Sequence, residues 1–321
     1  MTRVAVIDDY QHVAEALGDW ESLPPGTEVV FFHDHLVDED AIADRLRDFE
    51  VVALMRERTP IGRSLLSRLP KLRLLVTTGM QNRAVDVGSA HDRGVVVCGT
   101  GSAANGAPEL TWALLLAALR HIPEEDAATR GGAWQRTVGG DLEGRVLGVI
   151  GLGRIGTKVA RVAQAFGMEV IAWSQNLTEA AAGAAGVRRV DKEDLFRLGD
   201  IITIHLVLSE RTRGLIGAME LALMKPTALL VNTSRGPIVD EPALVDALRG
   251  RRIGGAALDV FSTEPLPTGH PLLTLPNTVL TPHLGFVTRT TYERYFGETV
   301  EDIAAFLAGE PIRVVEPPSS D

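Results

Sequence analysis

The chain has 321 residues, of which 45% are hydrophobic and 23% charged, with a formal net charge of -10. This length predicts two domains, and the composition is that of an ordinary globular protein. Acidic and basic residues are interspersed, so the negative balance argues against a nucleic acid or an anionic membrane as partner. The single cysteine, Cys98, excludes an internal disulfide and a cysteine-based metal cage, and we predict no metal site.

Short apolar strands alternate with helices over the first hundred residues. We predict strands at 3–8, 28–32, 51–55, 73–77 and 95–98, and helices near 38–48, 61–69 and 86–93. This alternation is typical of a parallel sheet covered on both faces. The segment contains no glycine-rich phosphate-binding motif, so it forms a domain that is not the dinucleotide-binding one.

A stretch of small residues at 99–106, GTGSAANG, marks a crossing between domains. Pro108 fits the first turn of a helix over 109–121. This helix is apolar nearly all round, so both its sides are covered, either within one domain or by a second subunit, and we favour the subunit. Its longest apolar run, 112–119, is too short for a bilayer, and no signal peptide is recognisable, so we expect a cytoplasmic protein.

The stretch 144–174 carries the strongest motif of the chain. An apolar strand at 146–150 leads into the spacing G-x-G-x-x-G, a helix that ends at Gly167, and a second strand at 168–173. In this setting the glycines supply a tight turn, close backbone approach to a pyrophosphate and helix–strand contact, while the helix start directs N–H groups at phosphate. We therefore predict a dinucleotide site formed by Gly151, Gly153, Arg154, Ile155 and Gly156, with Trp173 and Ser174 at the end of the second strand.

The same βαβ pattern continues with strands at 201–204, 227–231, 254–259 and 277–280. A last helix, near 290–307, is expected to pack on the first domain. Ligands of open parallel sheets bind beyond the carboxyl ends of the strands. Those ends are followed by Arg235, by Asp259 and Glu264, and by His283.

An arginine, a glutamate and a histidine at one sheet edge suit hydride transfer next to a carboxylate. Arg235 can bind a 2-oxo acid through its carboxylate and carbonyl oxygens. His283 can exchange a proton with the oxygen, and Glu264 would favour the imidazolium and fix its tautomer. Each residue alone could be structural, but the set of three favours a catalytic site.

Four motifs, GLGRIG, VNTSRGPIVDEPALVDAL, GAALDVFSTEPLP and TPHLG, together resemble the D-2-hydroxyacid dehydrogenase family over nearly the whole chain. The resemblance implies an α/β fold of two Rossmann-like domains with parallel sheets. A nucleotide domain, 101–286, would be inserted into a substrate domain formed by 1–100 and 287–321. The family's pattern gives Arg235, Glu264 and His283 the roles described above, and implies D stereochemistry and a homodimer formed through the nucleotide domain. It also assigns four residues to the cofactor cleft, namely His205, Thr233, Asp259 and Gly285.

Three departures from the family pattern concern the ligands. The second strand ends in AWSQN, without the acid that accepts from the ribose of NAD, so we favour NAD and do not exclude NADP. The turn TTGMQNRAVD, in which Gly79 and Met80 are expected to bind the substrate carboxylate, has Gln81 and Arg83 in place of a glycine and an aspartate. The stretch 205–207 lacks a proline that the family often has.

Arg56 follows a strand of the first domain and could bind a second anionic group of the substrate, the alternative being a surface pair with Glu57. For Arg58 we favour the surface arginine–glutamate pair. The predicted function is an NAD(P)-dependent oxidoreductase acting on a small 2-oxo or 2-hydroxy acid. A nicotinamide-sensing, corepressor-like binding protein and a phosphite dehydrogenase remain as alternatives, whereas Glu264 argues against formate oxidation because formate-oxidising relatives have glutamine there.

Overall fold

A computed structural model describes residues 1–103 and 105–317. The chain forms two compact units, Met1–Ala104 with Thr288–Asp321, and Asn105–Val287. Each unit is built around one sheet in which all paired strands are parallel. The predicted α/β class with two parallel sheets is therefore confirmed.

The elements follow one another along the chain as strand and helix, as expected for parallel sheets. The strands are β1 (Thr2–Val6), β2 (Thr27–Phe31), β3 (Val51–Leu54), β4 (Leu74–Thr77), β5 (Val96–Gly99), β6 (Val146–Ile150), β7 (Glu169–Trp173), β8 (Arg188–Arg189), β9 (Ile201–Ile204), β10 (Leu229–Asn232), β11 (Gly255–Leu258) and β12 (Thr278–Leu280). The α-helices are α1 (Ala14–Leu17), α2 (Glu39–Leu46), α3 (Arg63–Leu66), α4 (Val87–His91), α5 (Gly106–Leu119), α6 (Ile122–Arg130), α7 (Arg154–Ala165), α8 (Glu179–Ala184), α9 (Lys192–Leu198), α10 (Ala218–Leu223), α11 (Glu241–Arg249) and α12 (Arg289–Leu307).

The first unit has a five-stranded sheet in the order β2-β1-β3-β4-β5. Its central strands are fully buried, which is why they read as continuous apolar runs without alternation. The long helix α12 begins where the chain returns from the second unit and buries Tyr295, Phe296 and Ile303. It packs on α1 and on strands β4 and β5, as the sequence predicts.

The second unit has a seven-stranded sheet in the order β12-β11-β10-β9-β6-β7-β8. One face is covered by a cluster that includes Trp112, Leu115 and Val159, and the other by a cluster that includes Phe196 and Leu248. The strand order reverses between β6 and β9, and such a reversal leaves a crevice at the carboxyl ends of the two strands.

Two elements of the second unit, α6 and β8, were not predicted from the sequence. The helix predicted over 109–121 is α5, which starts earlier, at Gly106, and ends at Leu119, because His121 adopts a left-handed conformation with φ of 52°. A separate helix, α6, then begins with Pro123 in its first turn. The other missed element is the two-residue edge strand β8. Within the described residues, none of the helices is both long enough and apolar enough to cross a membrane.

Candidate active site

The glycine turn after β6 has the geometry that its sequence predicts. Gly151 has φ of +96°, and a β-carbon there would lie 2.6 Å from the carbonyl oxygen of His205. A β-carbon at Gly156 would overlap the Gly151 carbonyl oxygen, whereas one at Gly153 would meet open space. The turn thus brings the N-terminus of α7 close to β6, with the approach to Gly153 open. A pyrophosphate fits this turn, where the first N–H groups of the twelve-residue helix can bind it.

The sheet order places the other candidate residues along the same edge. On one side of β6, the carboxyl end of β7 carries Trp173 and Ser174. On the other side, β9 is followed by His205, β10 by Thr233 and Arg235, β11 by Asp259 and Glu264, and β12 by His283. Because all paired strands run parallel, these ends lie at one edge. We call it the carboxyl edge of the second sheet.

His283 forms a close pair with Glu264. Its Nδ1 lies 2.6 Å from Glu264 Oε2, and the other carboxylate oxygen accepts a hydrogen bond from the Phe261 N–H at 2.9 Å. The side chains are 24% and 33% exposed, so the pair remains accessible from solvent. The ring of Phe286 contacts the imidazole edge-on at 5.5 Å between centroids. With Nδ1 engaged by the carboxylate, Nε2 is the nitrogen through which the ring can exchange a proton.

Asp259 shapes the loop that carries His283. Its side chain is completely buried and accepts hydrogen bonds from Thr281 Oγ1 at 2.6 Å, from the Leu284 N–H at 2.7 Å and from the Gly285 N–H at 2.9 Å. Burial raises the pKa of this carboxyl, while the three hydrogen bonds act in the opposite direction. The sequence assigns Asp259 and Gly285 to the cofactor cleft. In the structure these hydrogen bonds join the two residues to each other and to the His283 loop.

The loop after β10 presents Arg235. Asn232, 1% exposed, donates through Nδ2 to the Arg235 carbonyl at 3.1 Å and accepts from the Ser234 N–H at 3.0 Å. A β-carbon at Gly236 would overlap the backbone of Phe261, so the loops after β10 and β11 are tightly packed. The sequence analysis did not single out Asn232, although it stands directly at the end of the strand.

His205 and Thr233 are held by neighbouring hydroxyl groups. His205 Nε2 lies 3.0 Å from Thr203 Oγ1, and burial lowers the pKa of His205 to about 3. The imidazole of His205 is therefore uncharged at physiological pH. Thr233 is buried and its Oγ1 lies 2.7 Å from Thr111 Oγ1 on α5.

The turn after β7 lacks an acidic residue but is bordered by a cation. The Ser174 carbonyl accepts from the Leu177 N–H at 3.1 Å, which closes the turn. Arg189, on β8, donates from Nε to the Leu177 carbonyl at 2.9 Å and pairs with Glu179 at 3.3 Å. Nothing in the sequence indicates this contact, because Arg189 is 15 residues after Ser174 and lies on a strand, β8, that was not predicted.

The predicted substrate residues Arg56, Gly79 and Met80 belong to the first unit. Arg56 Nη1 donates to the Thr78 carbonyl at 3.2 Å, and a β-carbon at Gly79 would overlap this guanidinium. The structure thus brings Arg56 and Gly79 together. The Gly79 N–H donates to Thr100 Oγ1 at 2.9 Å, and the Met80 side chain is 45% exposed.

The neighbouring arginine, Arg58, has a different environment. Its Nη1 donates to the Asp8 carbonyl at 2.8 Å, and its guanidinium lies 4.2 Å from the centroid of the Tyr10 ring. These contacts tie Arg58 to the loop after β1. The arginine that lies near Glu57 is Arg56, whose Nε is 3.6 Å from Glu57 Oε2, which is the pair stated as the alternative for Arg56. Over the parts of the chain that the structure describes, no group of three or more histidine, cysteine or acidic side chains is arranged to hold a metal.

A glycine turn at the switch point of a parallel sheet, with a histidine–glutamate pair and an arginine at the same edge, defines a nicotinamide-dependent dehydrogenase. Residues 112–285 match the family described as D-isomer specific 2-hydroxyacid dehydrogenase, NAD binding domain. The chain is 43% identical to a glyoxylate reductase of Aeropyrum pernix over 256 residues, which cover 77% of this chain and 76% of that protein.

Two further relatives agree with this match. Identity to a D-3-phosphoglycerate dehydrogenase of Methanocaldococcus jannaschii is 38% over 85% of this chain, which spans 52% of that longer protein. The crystal structure of a phosphoglycerate oxidoreductase from Vibrio cholerae superposes with a TM-score of 0.91 at 37% identity, covering 96% of this chain and all of the other. The chain belongs to the D-isomer specific 2-hydroxyacid dehydrogenase family. It is an oxidoreductase with an NAD-binding domain, which confirms the predicted family, enzyme class and cofactor type, and its substrates are 2-oxo or 2-hydroxy acids.

Proposed function

We propose that the enzyme reduces small 2-oxo acids to D-2-hydroxy acids, with His283 as the acid–base residue. The observation that carries this proposal is the 2.6 Å contact between His283 Nδ1 and Glu264, in a loop fixed by a fully buried aspartate. When bound, the reduced nicotinamide supplies the hydride. Similarity to a glyoxylate reductase and to phosphoglycerate dehydrogenases supports a substrate with a carboxylate next to its carbonyl group.

Each residue of the set has a separate task in this mechanism. Arg235 binds the substrate carboxylate and carbonyl oxygen and so fixes the face of the carbonyl carbon that is attacked. His283 donates the Nε2 proton to the carbonyl oxygen as negative charge develops there, and it takes that proton back in the oxidative direction. Glu264 stabilises the imidazolium and holds Nδ1, which keeps Nε2 directed to the substrate.

We propose that the first unit binds the substrate and that the second unit binds the nucleotide. The boundaries suggested by the sequence, 1–100 with 287–321 and 101–286, lie within a few residues of those of the two units. Arg56 would hold a second anionic group of the substrate, while N–H groups beyond Gly79, including that of Met80, would bind the carboxylate. Gly79 itself uses its N–H for Thr100 and contributes mainly the space for Arg56. NAD is the proposed physiological cofactor, and the uncharged turn at Ser174 leaves NADP as the second possibility.

We also propose a homodimer formed through the second unit. The segment that follows α5 exposes Ile122 to 54%, Trp134 to 77% and Val138 to 93%, and Phe166 is 43% exposed. Exposed apolar side chains of this size are of the kind that a subunit interface would cover. Trp134→Glu should convert a dimer into a monomer in analytical ultracentrifugation, and a wild-type chain that sediments as a monomer would contradict the proposal.

The test of the enzyme activity is consumption of NADH and NADPH with glyoxylate, hydroxypyruvate, pyruvate, oxaloacetate and a phosphorylated 2-oxo acid. Turnover with any of them, and its loss by at least about 100-fold in His283→Ala, is the expected result. Tight binding of both cofactors without consumption would reject the reductase in favour of a nicotinamide-sensing protein.

A further inference from the structure

Asn82 joins the two loops of the first unit that carry the proposed substrate residues. Its Nδ2 donates to the Arg56 carbonyl at 2.6 Å and to Thr77 Oγ1 at 2.8 Å, and its Oδ1 accepts from the Ala84 N–H at 2.9 Å. The orientation of the amide follows from these partners, because a carbonyl only accepts and an N–H only donates. One side chain thus ties the end of β3 to the loop after β4.

Arg56 needs such support because its backbone is left-handed, with φ of 54°. A residue other than glycine is disfavoured in this conformation unless its surroundings fix it. The Arg56 N–H donates to Thr78 Oγ1 at 2.8 Å, and the Arg56 carbonyl accepts from Asn82. Its guanidinium is directed back to the Thr78 carbonyl and occupies the space that Gly79 leaves free. Both sides of the residue are therefore held by the loop after β4.

In the sequence, Asn82 lies between Gln81 and Arg83, the two positions at which this loop departs from the family pattern. We infer that Asn82 is a positioning residue that acts through Arg56, holding its guanidinium against Gly79 where it binds the distal anionic group of the substrate. This inference depends on the proposed function of Arg56. It restricts the substrate class to 2-oxo acids with a second negative charge.

A double-mutant cycle tests whether Asn82 acts through Arg56. KM and kcat are measured for oxaloacetate, a phosphorylated 2-oxo acid and glyoxylate in wild type, Asn82→Ala, Arg56→Ala and the double variant. In each single variant we expect KM for the doubly charged substrates to rise about 10-fold or more, by a clearly larger factor than KM for glyoxylate, and kcat to change less than KM. In the Arg56→Ala background, the second substitution should add less than about 2-fold.

Asn82→Asp separates two roles of the side chain. An aspartate still accepts from the Ala84 N–H, but it cannot donate to the Arg56 carbonyl. If Asn82 only closes the local turn at Ala84, this variant restores wild-type KM; if it positions Arg56, KM rises as in Asn82→Ala. Ser89→Ala is the matched control, because Ser89 makes a comparable pair of side-chain hydrogen bonds, to Asp86 and Arg63, in the same unit but does not touch Arg56.

The outcomes separate this inference from the proposed function. Suppose that the wild-type enzyme turns over a doubly charged substrate. If the effects of Asn82→Ala and Arg56→Ala on KM are then additive, or if Asn82→Asp restores the wild-type KM, the inference about Asn82 is wrong and the proposed function stands. Turnover of glyoxylate without turnover of any doubly charged 2-oxo acid also overturns the inference and leaves the reductase intact. Absence of turnover with all substrates overturns both.

Discussion

Replacing Glu264 by glutamine tests the proposed catalytic pair of His283 and Glu264 with little change in shape. Two unit charges about 4 Å apart attract by about 4 kcal/mol at an effective dielectric constant of 20. Water screens this pair, since its side chains are 24% and 33% exposed, so the lower range for hydrogen bonds to charged groups, about 1.5–3 kcal/mol, applies. Glutamine also has one oxygen in place of the two that now serve His283 and the Phe261 N–H. We expect kcat for 2-oxo acid reduction at neutral pH to fall roughly 10- to 100-fold.

The pH dependence of this loss distinguishes an electrostatic role from a structural one. If Glu264 acts by stabilising positive charge on the ring, the deficit of Glu264→Gln should be smaller at low pH than at high pH. The assay is kcat for reduced-cofactor consumption from pH 5 to pH 9, at saturating substrate and cofactor. Glu241→Gln is the control, because Glu241 lies 3.3 Å from His270 in a second histidine–glutamate pair of the same unit. A deficit that is constant with pH, or one equalled by Glu241→Gln, would refute the reasoning.

Two further predictions concern stability and the cofactor turn. Asp302 is completely buried, and burial raises its pKa to about 7. Between about pH 4 and 7 the folded state therefore holds a proton that the unfolded state has lost. The free energy of unfolding should fall as the pH rises through that range, by at most about 4 kcal/mol. In urea unfolding, Asp302→Asn should therefore show a smaller loss of stability from pH 5 to pH 8 than wild type, and equal slopes would contradict this. Gly156→Ala forces a β-carbon onto the Gly151 carbonyl and should destabilise the unit by about 1–3 kcal/mol and weaken NADH binding in a fluorescence titration. Gly183→Ala on α8, where the added β-carbon meets open space, should leave NADH binding unchanged.

The arrangement of the second sheet could be predicted because it depends on rules of chain order. Parallel strands alternating with helices put all carboxyl ends at one edge, so residues that follow successive strands must lie side by side. This rule is enough to place Arg235, Glu264 and His283 at one edge from the sequence alone. Gly151 and Gly156 were predictable for a similar reason, since their spacing reflects steric limits of the backbone that hold in every turn of this kind.

Contacts that depend on unusual backbone conformations could not be predicted from the chain order. Arg56 has φ of 54° and His283 has φ of 56°. Arginine gives no signal for a left-handed conformation, and the enrichment of histidine there is too weak to single out one position. Each is held by an amide or carboxylate that bonds mostly to main-chain groups, Asn82 for Arg56 and Asp259 for the His283 loop. Main-chain partners leave no pattern in the sequence, so the sequence did not single out Asn82 and could not predict the hydrogen bonds of Asp259.

These two supports share one physical logic. A left-handed non-glycine residue costs on the order of 1–3 kcal/mol, and the cost must be offset by bonds that would be lost if the loop relaxed. At His283 the offset comes from the N–H groups of Leu284 and Gly285 bonding to a buried carboxylate, together with the His283 N–H bonding to the Asp259 carbonyl at 2.8 Å. Such a loop has little freedom to adapt, so His283 stays oriented towards Glu264 before a substrate arrives. Because the imidazole is already oriented, no binding free energy of the substrate has to be used to order it. This matters for a small substrate, which makes few contacts and so has little binding free energy.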